Sequence, residues 1–235
     1  MIFFGTIINA ISIIIGSILG LFFSNIPERF KETVMHGIGL VVLLIGLQMA
    51  FSTEVIIIVL LSLLFGAIIG EFLRLEGRLN QIGHWIGRKF TTNSSQDNSI
   101  SQGFVTATLV FVMGAMAIVG ALDSGVRGDH EILLTKGIID GFVALVLTTT
   151  MGFGVIFSVI PVVLYQGTIT LLATQIEKHI SEVFLTGLIS EITAVGGIII
   201  VAIGLNLLKL MNIRIGNLLP ALVMVVFIYF IYYLF

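Results

Sequence analysis

Long apolar stretches, each about as long as a bilayer is thick, follow one another along the chain. A helix that crosses a bilayer needs about 20 such residues. The fifth and sixth stretches are separated only by "MGFGV", so residues 132–174 also fit one span plus a re-entrant pair. The pattern predicts an all-α integral membrane protein with about eight transmembrane helices. These spans are 3–23, 33–51, 55–73, 102–122, 132–150, 153–174, 184–208 and 216–235.

The composition supports this class. Of the 235 residues, 57% are hydrophobic and 10% are charged, whereas a soluble domain carries about 25% charged residues. The mean hydropathy is +1.17, and the chain has too few polar side chains to cover a globule in water. Cysteine is absent, which excludes disulfides, thiolate metal sites and cysteine nucleophiles.

The distribution of Lys and Arg gives an orientation. With eight spans, the loops on one side hold eight basic residues and those on the other side hold three, an asymmetry that marks the richer side as cytoplasmic. Both termini are then expected outside the cytoplasm. Removing one span between 132 and 174 would move Lys209 and Arg214 to the poorer side, which favours eight spans. The richer side has Arg29, Lys31, Arg74, Arg78, Arg88, Lys89, Lys209 and Arg214, and the other has Arg127, Lys136 and Lys178.

One loop, residues 75–100, is long. Its first part places apolar residues at helical spacing, with basic residues on the other faces and Trp85 beside them. Such a helix is typical of the cytoplasmic membrane interface, and a solvated connector is the alternative. The following "TTNSSQDNS" predicts a flexible linker. The apolar positions are Leu75, Leu79, Ile82, Ile86 and Phe90.

A short sequence motif near the start of the chain is repeated near residue 167. "FFGTIINAIS" is echoed by "LYQGTITLLA", and each copy is followed by an acid, an Ile-Gly-Leu triplet and an amide. The copies begin in spans 1 and 6, an odd offset that reverses the direction of crossing and predicts an inverted-topology repeat. The predicted units are 1–74 (first three-helix unit), 75–100 (cytoplasmic amphipathic helix and linker), 101–151 (central pair) and 152–235 (second three-helix unit). Gly5, Glu32, 45–47 and Gln48 correspond to Gly167, Glu191, 203–205 and Asn206.

Two acids lie inside apolar spans, where an ionisable side chain normally faces a bundle interior or a wet cavity. Asp140 follows Lys136 by one helical turn, so a structural i,i+4 contact is an alternative to a coupling role. Glu191 has no Lys or Arg within a turn. It is therefore expected to be protonated, paired from another helix or bound to a cation, and a neutral helix-to-helix hydrogen bond is the alternative.

The sixth span contains Pro161, which removes a backbone donor and predicts a broken helix. Interrupted helices in inverted halves indicate transporter sites, although a simple kink whose freed carbonyl meets a threonine is equally compatible. We predict that the polar residues after Pro161, their counterparts in span 1 and the two acids line one substrate or ion site. The predicted residues are Asp140, Glu191, Gln166, Gly167, Thr168, Thr170, Thr6, Asn9 and Thr193.

Several sequence segments together resemble those of a known family. They are "GTIINA", "GFVTATLVFVMGAMAIVGALDSG", "GDHEILLTKGIIDG", "IPVVLYQGTITLLA", "EITAVGGIIIVAIGLNLL" and "IGNLLPAL". In this order they resemble the YdfK/YqgA-like family of bacterial membrane proteins, a domain-of-unknown-function family. The resemblance covers essentially the whole chain. It implies a multi-pass protein of the bacterial cytoplasmic membrane and supplies no substrate.

The predicted function is secondary transport of a small solute or ion, coupled to protons or another cation. Because 235 residues is small for a transporter, a homodimer is expected. The alternatives are a non-transporting scaffold, sensor or assembly factor, or a channel. The sequence has no Walker loop, HExxH or GxSxG motif, so we predict no enzymatic activity, cofactor, metal site or nucleic-acid partner.

Overall fold

The chain folds into α-helices joined by short connections. The structure, a computed structural model, describes residues 2–23, 28–78, 81, 94–113 and 115–234. These ranges contain no strand, and short 3₁₀ segments lie at Gly152–Ser158 and Ile215–Leu218. The helices are α1 (Phe4–Phe22), α2 (Glu28–Ala50), α3 (Ile56–Leu73), α4 (Ser94–Val112), α5 (Ala115–Val126), α6 (Glu131–Met151), α7 (Val159–His179), α8 (Glu182–Leu207) and α9 (Ala221–Leu234).

Among the described residues, five helical stretches are long and apolar enough to cross a membrane. They become six when α4 and α5, whose axes differ by 59°, count as one bent span. In α2 only the part His36–Ala50 is strongly apolar. The predicted all-α class with several apolar spans is therefore confirmed, whereas the count of eight stays a prediction.

The chain divides into two compact units. The first comprises residues 1–34, 80–112 and 116–179, and the second comprises 35–79, 113–115 and 180–235. The first unit thus holds α1, α4, α6 and α7 with nearly all of α5, and the second holds most of α2 with α3, α8 and α9. The predicted three-helix units and their inverted relation stay predictions.

The helical stretch 131–176 is too long for one crossing. Its 46 residues would extend about 69 Å as a straight helix, more than twice the hydrocarbon thickness of a bilayer. Leu133 packs against Gly5, and Gly167 lies next to Phe3, so both ends of the stretch meet the start of α1. The chain therefore turns back, and Gly152, with a φ of 74°, lies at the turn.

The sequence predicts that the sixth span is broken at Pro161, but the helix is continuous there. Pro161 lies in the first turn of the α-helix Val159–His179. At that position the missing N–H group has no intrahelical partner to lose. The irregular backbone comes earlier, in the 3₁₀ segment Gly152–Ser158, and the segment 166–170 lies within regular helix.

Much of the predicted cytoplasmic loop, including Ile82, Trp85 and Phe90, lies outside the described residues. Helix α4 begins at Ser94, within the stretch predicted to be a flexible linker. The last six of its nine residues, 94–99, are therefore helical. Ser, Asp and Asn are favoured at helix starts, and here these residues belong to the first turns of a helix that continues into an apolar run.

Small residues allow α1 and α6 to pack closely in the first unit. A Cβ on Gly16 would clash with the carbonyl oxygen of Gly141, and one on Gly20 would lie 2.5 Å from the oxygen of Leu145. Gly5 meets Leu133 near the other end of the same contact. Residue numbers rise together along both helices, so α1 and α6 run parallel.

Glycines perform the same role in the second unit, where the paired helices are antiparallel. Gly39 of α2 packs near Gly204 of α8, and Gly46 packs near Gly197. A Cβ on Gly46 would lie 2.6 Å from the backbone nitrogen of Val201. Such approaches suit apolar surroundings, where dispersion between close backbones drives helix association.

Candidate functional site

A buried ion pair lies in α6. The Lys136 ammonium donates to the Asp140 carboxylate, and each residue is 5% exposed. Their spacing of four residues brings both side chains to one helix face, so the i,i+4 contact that was one of the two alternatives for Asp140 is present, and the coupling role stays a prediction. Removing two charges from water costs several kcal/mol per ion, which their attraction offsets only with good geometry and further hydrogen bonds.

Asn9 of α1 lies opposite this pair. Its Cα is 3.2 Å from the point where a Cβ on Gly137 would be, and its side chain is fully buried. The amide lies within electrostatic reach of the Asp140 carboxylate. Neither polar atom of the amide, however, has a hydrogen-bond partner of normal geometry among the described residues.

One face of helix α7 is buried in the first unit and contains polar residues. Gln166 is fully buried, and neither of its amide atoms finds a partner in the described part of the chain. One turn later, the Thr170 hydroxyl donates to the carbonyl of Ala121 at 3.1 Å. Thr6 of α1 is also buried, and its hydroxyl is unpaired within the described ranges.

Two predicted site residues of α7 lie elsewhere on the helix. Thr168 is exposed, and its hydroxyl donates to the Leu164 carbonyl of the preceding turn at 2.6 Å. Gly167 is half-buried, with Phe3 as its near neighbour. Residues two apart point to different faces of a helix, so Thr168 does not join the buried stripe of Gln166 and Thr170.

Glu191 caps helix α3 in the second unit. One carboxylate oxygen accepts from the Thr53 hydroxyl at 2.7 Å, and the other accepts from the backbone N–H groups of Glu54 and Val55 at 3.1 and 3.2 Å. The first N–H groups of a helix lack intrahelical acceptors, and its N-terminus favours negative charge. The sequence left several partners open for Glu191, and the structure provides three donors from the segment before α3.

The same two segments are joined a second time beside Glu191. The Ser52 hydroxyl donates to the Ser190 carbonyl at 3.0 Å, and the Ser190 hydroxyl donates to the Ser52 carbonyl. Thr193, which follows Ser190 by about one turn of α8, is buried, and its hydroxyl is unpaired within the described ranges. These contacts fix the start of α3 against the middle of α8.

The predicted residues thus fall into two sets. Asp140, Asn9, Thr6, Gln166 and Thr170 are buried in the first unit, and Glu191 and Thr193 are buried in the second. The prediction that all of them line one cavity stays a prediction. Sequence reasoning missed the donors at 53–55, because they lie more than 130 residues from Glu191 and no local spacing links them.

A family comparison agrees with the sequence and the helices. A profile described as "Protein of unknown function (DUF554)" matches residues 4–230. The chain belongs to the DUF554 family. The predicted family resemblance is thereby confirmed.

Two relatives of this DUF554 chain extend over almost its whole length. It is similar to "Uncharacterized membrane protein YdfK" of Bacillus subtilis (strain 168), with 34% identity over 224 residues, 93% of this chain and 92% of the relative. It is also similar to "Uncharacterized protein YqgA" of Escherichia coli (strain K12), with 28% identity over 223 residues, 94% of this chain and 93% of the relative. No solved structure matches it. The apolar helices of this DUF554 chain, and the name of its Bacillus subtilis relative, are consistent with a multi-pass membrane protein.

Proposed function

We propose that this DUF554 protein is a secondary transporter and not an enzyme. It lies in the bacterial cytoplasmic membrane as a homodimer, with both termini outside the cytoplasm, and carries a small solute or ion coupled to protons or another cation. One observation carries the proposal: Gln166 buries a complete amide group in the first unit without a hydrogen-bond partner in the described part of the chain, and the buried amide of Asn9 lies near Asp140 without a hydrogen bond of normal geometry.

The energetic argument starts from these amides. A buried polar group left unsatisfied costs about 1–3 kcal/mol, and apolar side chains of similar shape would avoid that cost. A scaffold gains nothing from such groups. A transporter requires them, because a desolvated substrate or ion needs polar groups that are available before it arrives.

The ion pair next to Asn9 supplies a means of coupling. Ionisable groups inside membrane spans mark ion and proton pathways. Asp140 holds the Lys136 ammonium, and a proton or a cation that reached the carboxylate would compete with that ammonium. Exchange of partners at Asp140 therefore links the occupancy of the site to a second ion.

Contacts between α2 and α8 support an inverted repeat. Gly39 meets Gly204 and Gly46 meets Gly197, and the sequence repeat aligns the Ile-Gly-Leu triplets that contain Gly46 and Gly204. The same offset along the chain aligns Gly39 with Gly197. Each glycine therefore contacts the counterpart of the other, which is the pattern that a two-fold axis produces. Because α2 and α8 are antiparallel, an axis that relates them is perpendicular to both helices. Inverted repeats are a common architecture of secondary transporters.

A ligand screen on the purified protein tests the proposal. Ions and small metabolites are added singly and the thermal unfolding temperature is recorded, and compounds that raise it are then assayed for uptake into proteoliposomes. Gln166→Met nearly conserves the side-chain volume and removes the unpaired amide. We expect this variant to be as stable as the parent or more stable, and to lose both the ligand-induced shift and uptake. Gln175→Met, an exposed position on the same helix, should change neither.

The outcomes separate the candidate functions. Saturable uptake that depends on Gln166 supports a transporter, and rapid flux without saturation would assign a channel. If no compound stabilises the protein and no flux is measured, the scaffold, sensor or assembly role replaces transport. If Gln166→Met lowers stability without altering ligand binding, the amide is structural.

A further inference from the structure

An open cavity lies in the second unit, between the start of α8, the end of α9 and the segment before α3. Its volume is about 520 Å³, within the range of small-molecule sites. Glu191 is buried at its wall, while Glu54 and Glu182 are exposed. Tyr229 and Tyr232 also line it.

The charge of this cavity is of one sign. Three of its lining residues are glutamates, and none is lysine, arginine or histidine. Glu191 is already held by the donors at 53–55, but Glu54 and Glu182 lie near the opening. Walls of low dielectric concentrate the field of such charges and attract ligands of the opposite sign.

Tyr229 adds an aromatic wall with an available polar group. The residue is 8% exposed, and Phe184 holds its ring edge-on with centroids 5.1 Å apart. Its hydroxyl lies over Gly187, where any Cβ would collide with it, and it lies within electrostatic reach of Glu191 and Glu54. The hydroxyl forms no hydrogen bond with another described residue. The side chain is therefore largely buried, while its hydroxyl, which has no partner among the described residues, stays accessible at the wall of the acidic cavity.

We propose that this cavity binds a small organic cation that carries an ammonium group. Ammonium groups are recognised by aromatic rings and by carboxylates, and two tyrosines and three glutamates line the cavity. The volume far exceeds that of a bare metal ion, and the described residues contain no group of three or more carboxylate or histidine side chains placed to hold one. The site belongs to the second unit and goes beyond the proposed transport function, since binding here does not require transport.

Choline and its uncharged isostere 3,3-dimethyl-1-butanol provide a matched pair of probes. Binding of each to the purified full-length protein is measured by isothermal titration calorimetry in detergent at low and high sodium chloride. We expect choline to bind at least tenfold more tightly than the alcohol, and its affinity to fall as the salt concentration rises. Equal binding of the two compounds, or binding of neither, would overturn the proposal.

Variants locate the binding site. Glu182→Gln removes one exposed charge near the opening, and we expect a roughly twofold to fivefold loss of choline affinity. The combined Glu54→Gln and Glu182→Gln variant should lose about tenfold. Tyr229→Phe keeps the ring and removes the hydroxyl, and we expect a twofold to tenfold loss.

Glu131→Gln is the matched control. Glu131 and Glu182 are both exposed acids in the first turn of a helix, but Glu131 belongs to the other unit. We expect this variant to leave choline affinity unchanged. If Glu182→Gln and the combined variant lower only thermal stability, the acids serve the helix N-termini and the binding proposal is wrong.

Discussion

At the scale of single residues, burial makes Lys136 and Asp140 interdependent. Both are charged, both are 5% exposed, and each is the other's ion-pair partner. Losing one member of a buried pair leaves an uncompensated charge, whereas replacing both by apolar groups is often neutral or stabilising. Replacing one member of this pair should therefore lower stability much more than replacing both by apolar residues.

Asp140→Asn should lower the free energy of unfolding by about 3–5 kcal/mol, because it leaves the Lys136 ammonium buried beside a neutral amide. The double variant Lys136→Met/Asp140→Leu, which removes both charges, should be destabilised much less than Asp140→Asn. Denaturant titration of the purified protein measures both effects.

The i,i+4 pair of the exposed Arg127 and the half-buried Asp123 is the control for this experiment. Its Asp123→Asn variant should cost less than about 1 kcal/mol. Similar small losses for Asp140→Asn and Asp123→Asn would show that the α6 pair is hydrated and that its burial has no energetic consequence.

The sequence offered the contact between Lys136 and Asp140 as one alternative, because helix geometry places residues four apart side by side. It could not identify the partners of Glu191. The Thr53 hydroxyl and two backbone N–H groups meet this carboxylate only through the tertiary fold. The unpaired state of the Gln166 amide was likewise beyond sequence reasoning, since it depends on every neighbour of that side chain.

At the scale of helices, close packing of α1 on α6 depends on the absence of side chains. Gly16 faces the backbone of Gly141 so closely that no Cβ fits. Because the obstacle is backbone, a substitution requires the two helices to separate and not merely a neighbouring side chain to rotate.

Gly16→Ala should therefore destabilise the protein by about 1–3 kcal/mol, although alanine is the better helix former. Gly37→Ala is the matched control, since Gly37 is an exposed helical glycine with open space around its Cα. That control should be neutral or should stabilise by up to about 1 kcal/mol. Thermal unfolding in detergent compares them, and a stabilising Gly16→Ala would refute the close α1–α6 contact.

Apolar length predicted where most helices lie, because a bilayer-spanning helix needs a continuous apolar run. Propensity alone misjudged two places. Pro161 was predicted to break a helix, but it occupies the first turn of α7. The polar stretch from Ser94 resembled a linker, but helix formation is cooperative and extends from an apolar run into its polar flank.

At the scale of the whole molecule, the prediction that most needs a test is orientation in the membrane. The absence of native cysteine permits single-cysteine labelling without background. Asp129→Cys, in the exposed turn between α5 and α6, should react with an impermeant maleimide in intact cells. Met211→Cys, in the exposed connection between α8 and α9, should react only after permeabilisation. The reverse pattern would invert the predicted topology.

The distribution of Lys and Arg predicts this orientation, but it does not predict which helices become neighbours. Residues 35–79 fold into one unit with residues 180–235, although more than 100 residues separate them along the chain. Complementary small-residue surfaces select such partners, and one apolar helix sequence resembles another too closely for those surfaces to be paired from composition.

The packing of α1 on α6 has a consequence for biosynthesis. Asn9 lies opposite Gly137, about 130 residues later in the chain, and ribosomes add roughly 5–20 residues per second. For about 6–26 s, the newly made α1 is in or near the membrane before its packing partner has been synthesised. Throughout that interval Asn9 lacks the helix that buries it in the folded protein, so its amide faces the insertion machinery, water at the membrane surface or helices synthesised before α6.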